Sequence, residues 1–263
     1  MDQWSPALAA QGTASLYGNM LEQVRLAGGK VAGVLWYQGE NDTGEEPAVL
    51  YPQKFRGLIA KVRDDLGRPE LPFYYAQLSR FAGTVTPAYY GAWNQVQEAQ
   101  RLAETQIPHV GMVATIDLEL GDHIHLNQPS LERLGRRFAQ AAQGRGGPRL
   151  HEVRWVSANE LRLRFTGVNG ALKAEGGRVF GFEARSPDGN FIPLFHRAFI
   201  DPATNEIVFG LNSLKDLPAE MDLWYGRGLD PICNLVDSED LALPAFGPFR
   251  LPALGKIAAK ANH

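Results

Sequence analysis

The chain has 263 residues, 44% of them apolar and 21% charged, with 28 Gly and 17 Pro. That supplies enough apolar material for two modest cores and many turns. A formal net charge of −3 gives no electrostatic basis for holding nucleic acid or an acidic membrane. The single cysteine, Cys233, excludes an internal disulfide framework and a thiolate metal cage.

No run reaches the roughly 20 apolar residues of a membrane helix, and the opening stretch MDQWSPALAAQG has neither the basic start nor the apolar core of a signal peptide. Ser15–Ala27 sets Leu16, Met20, Leu21 and Val24 on one helical face, with Ser15 at the N-cap. Val31–Tyr37 is a short apolar run that reads as a buried strand and ends in Gln38-Gly39-Glu40-Asn41-Asp42. Tyr51–Leu66 repeats Phe55, Leu58, Ile59 and Val62 at helical spacing and closes at Gly67. Pro72–Leu78 predicts a second strand, Trp93–Leu102 a helix, and Val110–Ile116 a third strand.

Asp122-His123-Ile124-His125 follows that strand, and a helix over Leu131–Ala142 ends at Gly144. The basic cluster from Arg133 to Arg137 reads as a solvated face of this helix. Strands alternating with helices predict a parallel sheet with helices on both faces.

Gly144-Arg145-Gly146-Gly147-Pro148 reads as a linker. Beyond it the period changes to two. Glu152–Ser157, Glu160–Phe165, Val179–Arg185, Ile192–Ile200, Glu206–Gly210 and Met221–Tyr225 predict a small antiparallel β-sandwich. The expected division is an α/β domain over residues 1–145 and a sandwich over 149–253.

In open α/β sheets, ligands sit at the carboxyl ends of the strands. Two polar clusters lie there. A carboxylate at Asp122 can fold back on the imidazole of His125, hold its Nδ1 proton and leave Nε2 free as a base. Taken alone, the pair reads as simply as a loop histidine capped by its neighbour. Gly39 lets the backbone bring an N–H close to a substrate, and Asn41 or Gln38 can add an amide donor for an oxyanion. The same residues also describe a polar strand-to-helix turn. Glu40 and Asp42 read as paired glycosidase carboxylates or as helix-start residues. His123 and His125, with Asp122 and Glu119 nearby, form the outline of a metal site that lacks clear further ligands.

The segments together resemble a known family. Gly33-Val34-Leu35-Trp36-Tyr37-Gln38-Gly39-Glu40-Asn41-Asp42 is similar to the third conserved block of the sialate O-acetylesterase group of carbohydrate esterases, in the SGNH hydrolase superfamily. Asp122-His123-Ile124-His125-Leu126 resembles the fifth block, in which two residues separate Asp from His. Ser15–Met20, Leu71–Leu78, Trp93–Gln100, Asn234-Leu235, Leu243–Ala245 and Pro248–Arg250 resemble further family strings, so the likeness runs along nearly the whole chain.

The resemblance implies an SGNH, flavodoxin-like sheet followed by an antiparallel sandwich. It also implies hydrolysis of an O-acetyl ester on a sugar or glycan, with no metal or organic cofactor. His125 would be the base, Asp122 its orienting partner, and Gln38, Gly39, Glu40 and Asn41 the oxyanion and substrate turn.

The family's first block, Gly-Gln-Ser-Asn-Met, carries the nucleophile and has no counterpart here. Ser5 and Ser15 are the serines preceding the third block, and Ser15 falls on a helix start. The expectation is therefore a hydrolase sheet incomplete at the N-terminus, with its nucleophile segment absent from this chain. Its exposed apolar edge would then favour self-association. The rival expectation is a carbohydrate-binding pseudoenzyme. Relatives are often secreted or periplasmic, which leaves localisation open.

Overall fold

The computed structural model describes residues 1–84, 88–212 and 217–253. They form two compact units, one of Met1–Leu78 with Thr84–Met112 and one of Ser79–Gly83 with Val113–His263.

The first unit holds helices α1 (Leu16–Leu26), α2 (Glu45–Asp65) and α3 (Ala88–Gln106). Strands β1 (Val34–Trp36), β2 (Phe73–Ala76) and β3 (Val110–Val113) make a three-stranded sheet in the order β1-β2-β3. β1 and β2 run parallel, Val34 opposite Phe73 and Trp36 opposite Tyr75. Each β-to-β connection contains a helix, as parallel strands require.

The core of this unit is aromatic. Phe55 on α2 meets Tyr75 edge-on at 5.0 Å and Phe73 at 6.0 Å, and stacks against Tyr51 at 5.6 Å. β1 stands at one edge of the sheet, and Leu35 there is 63% exposed.

Both α2 and α3 begin earlier than periodicity predicts, α3 at Ala88 against the predicted Trp93. α2 starts six residues before Tyr51, with Glu45 and Glu46 in its first turn, where acidic groups suit the helix dipole. Pro47 also sits in that turn, where its missing N–H costs nothing. The expected face of α1 is corrected. Tyr17 and Gly18 are its buried residues, while Leu16 is exposed. Tyr17 donates its hydroxyl to Asp65 of α2 at 2.7 Å. A side chain at Gly18 would collide with the Gly12 carbonyl at 2.2 Å, so the close approach on this face selects a glycine.

The second unit holds α4 (Gln128–Ala142) and the remaining strands. β4 (Arg149–Ser157), β5 (Glu160–Thr166), β9 (Phe195–Asp201) and β10 (Glu206–Leu211) form one antiparallel sheet in the order β4-β5-β10-β9. β7 (Phe182–Arg185), β8 (Phe191–Ile192), β11 (Asp222–Tyr225) and β13 (Phe246–Arg250) form a second, ordered β13-β11-β7-β8. β6 (Leu172–Ala174) pairs with β12 (Leu235–Asp237).

The two larger sheets share one core. Leu161, Leu163, Ile207 and Phe209 from the first pack with Ala184, Leu223, Tyr225 and Phe246 from the second. Alternation is clean along β5, where Leu161, Leu163 and Phe165 point inward between Arg162 and Arg164.

The single strand expected over Ile192–Ile200 is two. Pro193 has no N–H for a ladder, so pairing breaks there. β8 joins β7 in one sheet, and β9 joins β10 in the other. β13, which sequence periodicity did not reveal, carries Pro248 on an edge strand, the position where a missing N–H is tolerated.

The basic cluster on α4 is also corrected. Arg136 is exposed, but Arg137 is 1% exposed. Its guanidinium donates to the Ala114 carbonyl at 2.8 Å, to both carboxylate oxygens of Asp117 at 2.7 and 2.8 Å, and to the Asp240 carbonyl at 2.7 Å. The planar fork matches the carboxylate in bidentate fashion, which an ammonium could not do. Arg133 also reaches Asp117 at 3.0 Å but stays 30% exposed.

Replacing Arg137 by Leu leaves a buried carboxylate and two carbonyls short of donors. The expected loss is about 3–5 kcal/mol of stability, read as a lower urea midpoint. Arg133→Leu, at a partly solvated site, is expected to cost about 1 kcal/mol or less. Equal losses for the two would contradict the burial argument.

Candidate active site

The Asp122–His125 cluster belongs to the second unit. Asn127 caps α4 through a bond from the Ser130 N–H at 2.9 Å, and Pro129 sits in the helix's first turn. The loop ahead of that cap is closed on itself. Gly121 N–H donates to the His125 carbonyl at 2.8 Å, Asn127 N–H donates to Glu119 at 3.1 Å, and Leu120 bridges to Leu126. The Ser130 hydroxyl accepts the Glu119 N–H at 2.9 Å.

Inside this closed loop, Asp122 accepts three hydrogen bonds. One oxygen takes the backbone N–H groups of Ile124 at 2.8 Å and His125 at 2.7 Å. The other lies 2.8 Å from His125 Nδ1. The backbone N–H of His125, then its ring, then the Ile124 N–H hold the Asp122 carboxyl well below its ordinary value of 3.8. With Nδ1 held by a carboxylate, Nε2 of His125 is the nitrogen left to accept a proton. The imidazole is 72% exposed, so that nitrogen is accessible.

A strap from Ser79–Gly83 supports the loop from outside. Ala82 N–H donates to the His123 carbonyl at 2.8 Å, and the rings of Phe81 and His123 meet edge-on at 5.6 Å. Arg80 ties to Asp230 at 2.8 Å and to Glu119 at 3.2 Å. These contacts join residues far apart in sequence, and no local motif announces them.

The Gly39 turn belongs to the first unit. A short 3-10 turn over Glu40–Asp42 begins at Gly39, whose φ of 153° and ψ of −14° are out of reach of most side chains. A Cβ there would sit 3.1 Å from Gln100 Nε2 and from Leu78 Cγ. The Gln38 carbonyl accepts the Gln100 amide at 3.1 Å and the Tyr51 hydroxyl at 3.3 Å.

The Gln38 side chain turns the other way and donates to Asp42 at 2.6 Å. Asp42 also takes the Met1 ammonium at 2.6 Å. Gln38 Oε1 is buried and meets no donor among the described residues. Asn41 is exposed. The amide carried toward solvent at this turn is therefore that of Asn41, while that of Gln38 is engaged with Asp42.

Ser15 caps α1. It accepts the Gly18 N–H at 2.9 Å, donates to the Gly12 carbonyl at 3.2 Å, and is buried. Cys233 is buried too, and burial pushes its thiol up to about 12, which keeps it protonated.

A family model described as carbohydrate esterase, sialic acid-specific acetylesterase, matches residues 1–144. A probable carbohydrate esterase of Arabidopsis thaliana is 32% identical over 131 residues, which are 48% of this chain and 46% of that protein. The crystal structure of a carbohydrate acetylesterase from Xanthomonas citri is similar in fold, with a TM-score of 0.67 and 25% identity over 85% of this chain and 50% of that one. The chain spans about half the length of these relatives.

Because its folded value is depressed, the Asp122 carboxylate supports the loop fully above pH 3.8 and loses that role only as the pH falls through its lowered value. Carboxyl carbon NMR is expected to place its midpoint below 3.8. In His125→Ala the midpoint is expected to rise part of the way back, since the ring bond is lost and the backbone bonds persist. A wild-type midpoint at or above the ordinary value would contradict the geometry.

Proposed function

We propose that this chain, which belongs to the carbohydrate esterase family of sialic acid-specific acetylesterases, provides the acid–base pair and the oxyanion turn for removing O-acetyl groups from a sugar or glycan. The observation that carries this reading is the Asp122 carboxylate fixed 2.8 Å from Nδ1 of an exposed His125. The family match over residues 1–144 contains both polar clusters and supports it. In this reading residues 1–145 are an SGNH-type, flavodoxin-like domain, and residues 149–253 are an accessory sandwich.

The chemistry is acyl transfer. A serine hydroxyl attacks the acetyl carbonyl while His125 Nε2 takes its proton, and Asp122 stabilises the imidazolium. The oxyanion is held by the Gly39 N–H and the Asn41 amide. His125 returns the proton to the departing sugar oxygen, then activates water to release acetate. The attacking serine is assigned to no residue of this chain, since Ser15 is buried as a helix cap. That same observation favours a second reading, a sugar-binding protein that retains the two polar clusters without turnover.

Hydrolysis of 4-nitrophenyl acetate by the purified chain separates the two. On the esterase reading, His125→Ala lowers kcat by roughly 10²–10⁴-fold, and Ser15→Ala leaves the rate unchanged unless helix α1 frays. No hydrolysis, combined with calorimetric binding of an O-acetylated sugar, would assign this chain the binding role alone.

A further inference from the structure

We propose that Gln100 is a positioning residue for the Gly39 turn, clamping one peptide so that the Gly39 N–H faces outward toward a developing negative charge. The proposal rests on the esterase reading above. Its structural part stands on the first unit alone.

The argument begins with the Gln38 carbonyl. β1 ends at Trp36, so this carbonyl lies beyond the sheet ladder and needs other donors. It receives two, from Gln100 Nε2 at 3.1 Å and from the Tyr51 hydroxyl at 3.3 Å. Both side chains are fully buried. A trans peptide is planar, with its N–H opposed to its C=O. Fastening the Gln38 oxygen to the interior therefore turns the Gly39 N–H away from it. That N–H donates to no acceptor among the described residues.

Gln100 is fully committed to this arrangement. Its second amide proton goes to the Tyr51 oxygen at 3.0 Å, closing a triangle with the Gln38 carbonyl. Its Oε1 accepts the Leu78 N–H at 2.7 Å, just past the end of β2. One side chain thus binds the carboxyl ends of two adjacent parallel strands where the ladder has stopped. The backbone carbonyl of Gln100 accepts the Tyr75 hydroxyl at 2.7 Å, which anchors α3 to β2 at the same point.

Burial raises the Tyr51 hydroxyl far above its ordinary value, so it remains a donor across the working pH range. The absence of a Cβ at Gly39 lets the turn rest directly on the Gln100 amide, as its 3.1 Å clearance shows. The clamp and the glycine form one device, the first aiming the peptide and the second permitting the approach.

Gln100→Met keeps the length of the side chain and removes its donors, while Tyr51→Phe removes the other donor and leaves Gln100 in place. Two measurements are made on the purified full chain and both variants. The first is the Gly39 amide resonance in a ¹⁵N–¹H spectrum, with the indole resonance of Trp93, buried in the same unit, as a control for folding. The second is kcat and KM for 4-nitrophenyl acetate. The expected result is a displaced Gly39 resonance in both variants. Gln100→Met should lower kcat by roughly 10²-fold at unchanged KM, and Tyr51→Phe should lower it less.

An unmoved Gly39 resonance in both folded variants overturns the proposal, as does an active chain whose kcat neither variant changes. An inactive wild-type chain with a displaced Gly39 resonance in both variants supports the clamp alone, since the hydrolase reading assigns its serine to no residue of this chain.

Discussion

A backbone polar group buried outside a helix or a ladder must find a partner, and each unit meets that constraint with one long side chain. In the first unit the carboxyl ends of β1 and β2 run out of sheet partners, and Gln100 supplies a donor to one strand and an acceptor to the other. In the second unit the segment after β3 leaves the sheet, and Arg137 satisfies the Ala114 carbonyl together with the Asp117 carboxylate. The cost of leaving such groups unpaired, about 1–3 kcal/mol each and more for charges, is large against a domain's total stability. The loops that carry the candidate chemistry are therefore held by buried polar side chains as much as by apolar packing.

The two polar clusters use different physics. At Asp122 the order is local, since three donors from two nearby residues, Ile124 and His125, converge on one carboxylate. Such a turn is nearly self-sufficient, which suits a group as exposed as His125. At Gly39 the order is imported from α2 and α3 through Tyr51 and Gln100. Donors aimed in advance at a developing charge need no reorganisation during reaction, and in the proposed reaction the clamp serves the Gly39 peptide in that way.

Much of this was readable from the residues alone. The runs VLW, FYYA and VGMV within longer apolar stretches located the parallel strands, and the Asp-x-x-His spacing predicted the carboxylate–imidazole bond that the structure contains. The family resemblance agrees with the matched family model and with the relatives. What escaped depended on tertiary partners. Gln100 is one glutamine among several on α3, and nothing in its neighbours marks it as the one beneath the glycine. Arg137 resembles Arg136 in sequence, yet a difference of one residue, or 100° around the helix, separates burial from exposure. The short β6 and β12 strands have too few residues to show a period. Sequence alone leaves Asn41 and Gln38 equivalent at this turn, and the bond from Gln38 to Asp42 that separates them is a detail of the fold.

The break at Pro193 carries a consequence for unfolding. Because β8 and β9 are consecutive yet lie in different sheets, neither sheet is a continuous piece of chain that could peel off and leave the other intact. Leu194, fully buried at the crossing, would be drawn into water by separation of either one. Such covalent interlacing disfavours partly opened states with one sheet preserved and pushes the sandwich toward all-or-none melting. Amide exchange in the two sheets should accordingly report a common opening event.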